Sequence, residues 1–201
     1  MDDLEARTQK ELADIVIVLT ELTGLPSRWS GRVELVPDAK HKGLKQPSCG
    51  IEVDAQLAEQ DLRWLTLTHE ALHSLSPQYN STDFRELRGW EEGVVEQLQR
   101  LFRPEIFSRL GIRMAEDLLL SADLWHPFNP YIAALERLRL SQEAFQAITP
   151  PIIFYMNLIA LPIKDRPASI FRHGFYLQPE QRSVFMAIFS QSNAILKRRI
   201  V

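Results

Sequence analysis

Leu4, Leu12, Ile15, Val16, Leu19 and Leu22 recur at the spacing of one helix face, and Gly24 follows them. The pattern predicts an amphipathic helix over residues 2–23 that ends at the glycine. Pro26 and Gly31 punctuate a turn, and Arg32 to Val36 then alternates charged and apolar residues as a half-buried strand does. The stretch from Pro37 to Pro47, rich in Lys and Gly, reads as a loop. Cys49 to Val53 brings a second alternating run, with Ile51 and Val53 on one face. From Asp61, the expected N-cap, to Leu75 the pattern is helical. Leu62, Leu65, Leu72 and Leu75 carry it, while Trp64, Leu67 and Ala71 widen the apolar surface enough to place this helix in the middle of a domain. Pro77 to Asp83 is a polar connection. A further helix, Phe84 to Phe102, carries Trp90, Val94, Leu98 and Leu101 and is expected to stop before Pro104. Beyond it the pattern is helical throughout, cut into short pieces by Pro104, Pro127, Pro130, the Pro150-Pro151 pair, Pro162, Pro167 and Pro179. The last piece, Pro179 to Arg199, ends in Lys197-Arg198-Arg199, which suits the negative end of a helix dipole.

This order implies an α+β fold that is mainly helical, with a small sheet. Residues 1–103 are expected to hold the sheet and two chemistry-bearing helices, and residues 104–201 a helical part that completes a cleft. A chain of 201 residues with 45% hydrophobic and 24% charged residues is that of an ordinary soluble protein. The formal charge of −3 argues against a protein built to hold nucleic acid. Cys49 stands alone, so no internal disulfide forms and a reducing compartment fits. The N-terminus, Met1-Asp2-Asp3-Leu4-Glu5, is acidic where a secretory signal is basic. The longest apolar run, Pro151 to Pro162, is interrupted by Asn157 and is about half the length of a membrane span. A buried helix is expected there, with docking on a membrane as the alternative, and the expected location is cytoplasmic.

The chemistry is concentrated in His69-Glu70-Ala71-Leu72-His73. Residues four apart on a helix share a face, so the two imidazoles can bind one Zn²⁺ while Glu70 projects beside them. The alternative, two ordinary helix histidines, leaves two imidazoles and a carboxylate in an apolar helix without a reason. After 18 intervening residues comes Glu92, within Gly89-Trp90-Glu91-Glu92-Gly93. Two His and one Glu leave the fourth zinc position open to water, which marks a catalytic site. Glu91 is about 100° around the helix from Glu92. Glu96 lies one turn further on the face of Glu92, placed to accept a hydrogen bond from a ligand imidazole or to stand in solvent.

The motif, with its 18-residue spacing to Glu92, resembles the gluzincin metallopeptidases, the group that holds thermolysin and the zinc aminopeptidases. Trp90-Glu91-Glu92-Gly93 is similar to the Trp-x-x-Glu-Gly element of the aminopeptidase branch. The resemblance covers His69 to Gly93 and implies a zincin-like core with one Zn²⁺ on His69, His73 and Glu92. In that chemistry Glu70 takes the proton of the attacking water and passes it to the leaving amine. The resemblance also implies an oxyanion donor, for which Tyr131 is the first choice, with His126, Tyr155 and His173 behind it. It further implies a strand edge above the active helix that substrate extends. Gly50, Ile51, Glu52 and Val53 stand at the right place in chain order for it. The glycine-rich element by which the aminopeptidases hold a substrate N-terminus is not identifiable, Glu52 being the one thin candidate. An endopeptidase acting on an intracellular protein or peptide is therefore expected. The alternative is a zincin-like binding or regulatory module, or a latent peptidase that needs a ligand or partner. Lys40, Lys42 and Lys45 offer a surface for an acidic partner, or simply a solvated loop.

Overall fold

The computed structural model describes residues 2–39, 42–46, 48–144 and 149–198; the expectations at Met1, Lys40, Pro47 and Arg199 fall outside these. The described chain is mainly helical with one three-stranded sheet, an α+β architecture. It forms two compact units, Met1–Leu75 with Gln99–Glu116, and Ser76–Leu98 with Asp117–Val201.

In the first unit, α1 (Asp2–Thr23) has the expected length and buries Leu12, Ile15, Val18 and Leu19 against α2 (Arg63–His73) and strand β1 (Val33–Val36). The sheet has the order β1-β3-β2, with β2 at Gly43–Lys45 and β3 at Ile51–Asp54. Strand β1 runs parallel to β3, and β2 antiparallel to it. Val33 and Leu35 stand opposite Ile51 and Val53, and all four are buried on one face, as their period of two requires.

Two expectations are overturned here. The run Gly50–Val53 is expected at a sheet edge, but β3 is the middle strand. Hydrogen bonds to β1 and β2 occupy both sides of its main chain, so it cannot be extended by another strand. The stretch Pro37–Pro47, expected as a loop, contains β2, which is an edge strand. Only three residues long and opened by a glycine, β2 has too little alternation to be read alone; its register comes from pairing with β3. Lys45 is turned inward and buried while Lys42 is exposed, so these two lysines do not share one surface.

Helix α2 starts without the cap expected of Asp61. The chain is already turning before Arg63, with the Trp64 N–H on the Asp61 carbonyl (3.2 Å) and the Leu65 N–H on the Leu62 carbonyl (3.1 Å). With no abrupt start there is no side-chain cap to make. Asp54 performs that task one step earlier, its Oδ1 accepting the Leu57 N–H (3.0 Å) at the head of the 3-10 turn Leu57–Glu59. From Leu67 to His73 every residue of α2 is buried.

The expected helix Phe84–Phe102 divides into α3 (Ser81–Glu86), capped by Asn80 Oδ1 on the Asp83 N–H at 2.9 Å, and α4 (Arg88–Leu110). Pro104 does not end α4. It removes one N–H, and the buried Phe102 and Ile106 hold the helix on either side of it. The second unit adds α5 (Glu116–Leu124, from its second residue on), α6 (Asn129–Glu143), α7 (Pro151–Ile159), α8 (Arg166–His173) and α9 (Pro179–Leu196). Each of the last four has a proline in its first turn, where the missing N–H has no intrahelical role. The apolar run after Pro150 is α7, which buries Phe154, Tyr155, Leu158 and Ile159. Among the described residues no helix is long and apolar enough to cross a membrane.

Candidate metal centre

His69 and His73 lie one turn apart on α2 and are almost fully buried. Their Nε2 atoms approach to 3.1 Å, with ring centroids 4.8 Å apart and planes at 75°. Two nitrogens on one tetrahedral Zn²⁺, each about 2.05 Å from it, stand roughly 3.3 Å apart, so this pair has the separation of two ligands of one ion. Glu92 Oε completes the group: one ligand atom from each of His69, His73 and Glu92 lies within 4.8 Å of the others. Two imidazole nitrogens and a carboxylate oxygen suit zinc, and three protein ligands would leave the fourth position of a tetrahedral ion to a non-protein ligand.

Glu70, between the histidines in sequence, is also buried. Edge strand β2 passes directly over it. A Cβ built on Gly43 would stand 2.9 Å from both Cγ and Oε1 of Glu70 and 2.6 Å from Thr66 Cγ2. Only a glycine lets the β2 main chain come this close to the carboxylate.

The run Gly89-Trp90-Glu91-Glu92-Gly93 has a partner at each position. A Cβ on Gly89 would meet the Leu196 carbonyl oxygen and Tyr131 Cδ1, both at 2.6 Å. On Gly93 it would meet Leu135 Cδ1 at 2.8 Å. The two glycines are one turn apart and give α4 a flat face for α6 and the end of α9. Trp90, fully buried, donates its indole N–H to Asn193 Oδ1 (3.0 Å). Glu91 is fully buried and ion-paired, its Oε2 2.5 Å from Arg166 Nη1, and it accepts the Ser76 hydroxyl at 2.8 Å. Burial pushes the Arg166 guanidinium down from its ordinary pKa, against the upward pull of Glu91. Glu92, in contrast, meets a cation at the surface: Arg88 Nε donates to its Oε1 at 3.2 Å, from a side chain one-third exposed.

The remaining candidates differ in their surroundings. Glu96, expected to steady a ligand imidazole, has the His126 ring beside it, with Nε2 3.5 Å from its Oε2. His126 Nδ1 accepts the Phe128 N–H at 3.4 Å. Tyr131, the first choice for an oxyanion donor, is a core residue. It has no exposed surface, packs on the α4 glycines and donates its hydroxyl to the Arg198 carbonyl (2.5 Å). Tyr155 donates to Glu136 Oε1 at 2.7 Å, and burial with the adjacent carboxylate holds its phenol well above the ordinary range. His173 ends α8 half-buried, with its pKa lowered by burial and by Arg172.

Sequence reasoning missed Gly43, Ser76 and Arg166. A buried carboxylate at position 91 calls for a cation, but 23 lysines and arginines are available and no spacing singles out Arg166. No family model matches the chain, and neither a curated protein nor a solved structure gives a match.

Proposed function

We propose that the chain is a zinc-dependent peptidase, with His69, His73 and Glu92 as ligands and Glu70 as general base. The observation that carries this reading is the convergence of the two α2 imidazoles, 3.1 Å apart, with the Glu92 carboxylate, while Glu70 of the same helix is buried beside them. A bound Zn²⁺ supplies a water of lowered pKa and polarises the scissile carbonyl. Glu70 takes the proton of the attacking water and hands it to the departing nitrogen, which its place next to both ligands favours. The β2 edge supports a peptide rather than a small substrate: an extended chain pairing with it would have its main chain beside the Gly43–Glu70 contact. Endopeptidase action is the form proposed, since among the described residues no element that would hold a substrate N-terminus is identified.

The test is zinc content by elemental analysis of wild type and Glu70→Gln, together with cleavage of a mixed protein and peptide pool. One zinc in both, and cleavage only by wild type, is the expected result. The variant should lose on the order of 10²- to 10⁴-fold in rate, the usual range for a general base. Zinc in both without cleavage turns the reading toward a binding or latent protein, and a wild type that takes up no zinc ends it.

A further inference from the structure

We infer that Arg166 is a positioning residue for the metal ligand Glu92, acting through the first turns of α4; this rests on the proposal that Glu92 holds zinc. The start of a helix is its least restrained part, because its first N–H groups have no intrahelical acceptor. Glu92 is the fifth residue of α4, so its direction depends on how those turns are held. Arg166 holds them at two adjacent positions. Nη1 pairs with Glu91 and also donates to the Trp90 main-chain carbonyl at 2.9 Å. The same guanidinium is fastened elsewhere, Nη2 to Ser76 Oγ at 2.7 Å and Nε to the Leu161 carbonyl at 3.3 Å. Successive helix residues differ by about 100°, so a rotation of α4 that displaced Glu91 from Arg166 would swing Glu92 by the same angle.

Stability alone does not account for this arrangement. Both partners are fully buried, and such a pair is often no better than an apolar pair of the same volume, because both charges are stripped of water. What the fork of donors contributes is geometry: one planar group sets the distance between Glu91, the Trp90 carbonyl, Ser76 and Leu161. A lysine ammonium keeps the charge but cannot span those four acceptors.

The experiment measures zinc affinity by competition with a chromophoric chelator, and melting of the metal-free protein. The proteins are wild type, Arg166→Lys, the apolar double variant Glu91→Leu/Arg166→Met, and Tyr155→Phe. The first two variants should fold and bind zinc roughly 10- to 100-fold more weakly, the range seen when groups that orient a ligand are removed. The double variant should melt near wild type. Tyr155→Phe removes a part-buried hydrogen bond elsewhere in the same unit; it should lower the melting temperature and leave zinc affinity unchanged. Wild-type affinity in folded Arg166→Lys overturns the inference, as does an affinity loss in Tyr155→Phe that follows its loss of stability. Where the double variant does not fold, Arg166→Lys decides. A wild type that binds no zinc overturns the inference together with the metal reading.

Discussion

Glu91 and Glu92 are neighbours on one helix and both are buried, yet they meet their charge in different ways. Glu91 is closed off with a cation from the chain itself, Arg166, in a site with no exposed surface. Glu92 belongs to a group of three ligand atoms, and its chain cation, Arg88, is partly in water. A carboxylate already neutralised by a buried guanidinium has little left to offer a metal; the one beside it, with an outward arginine, does. This contrast favours position 92 over 91 as the proposed ligand more strongly than helix angle alone.

Alanine at each position should separate the two. Glu91→Ala leaves the Arg166 charge buried and unpaired, and should destabilise the protein by about 3–5 kcal/mol in denaturant melts. Glu92→Ala frees Arg88 to move into solvent, so the metal-free stability should change by no more than about 1 kcal/mol. Zinc uptake should behave in the opposite order, abolished at 92 and weakened at 91. Equal stability losses at both positions would erase the distinction.

Metal addition sharpens the same contrast with a smaller effect. Free zinc at about 100 times its dissociation constant should stabilise wild type by roughly 2.7 kcal/mol, and a chelator should remove all of it. Glu92→Ala should show no such gain. A variant that keeps it would place the third ligand elsewhere.

What could be read from the chain divides along the same line. Helix α1, strand β1 and helix α9 follow from apolar periodicity, because each presents one face to a core. His69, His73 and Glu92 follow from spacing, which a helix converts into geometry. Strand β2 was hidden because three residues carry no period and its pairing lies with β3. The Asp61 cap failed because the chain enters α2 through turns already formed, and Pro104 failed as a stop because flanking core residues hold α4 together. Arg166 was beyond reach for a different reason. Local pattern registers that a buried carboxylate has a need, not which residue 75 positions away answers it.

Gly43→Ala tests the approach of β2 to Glu70, on which the peptidase reading leans. The added methyl has backbone on its own side, and Thr66 and Glu70 under 3 Å away on the other, so the carboxylate or the strand must shift. Neither is a ligand, so zinc affinity should stay within about twofold of wild type. Displacement of a reacting group by around 1 Å is worth up to about 10²-fold in rate, and a loss of roughly 10- to 100-fold in cleavage is expected. Unchanged cleavage would mean that the contact does not set the position of the base.

The smallest effect belongs to Tyr131→Phe. The ring is wedged against Gly89 and Gly93 and is retained in the variant, while the hydroxyl's bond to the Arg198 carbonyl is lost. One such bond is worth about 1 kcal/mol, and a melting experiment should find a loss of that size. Cleavage should be unaffected, since a fully buried hydroxyl bound to main chain has no lone role at a substrate carbonyl. An oxyanion donor would behave otherwise: its removal costs about 10²- to 10³-fold in rate with little change in stability. The two accounts therefore differ in which quantity moves, so the single variant separates a core tyrosine that holds α4 in place from one that touches the reaction.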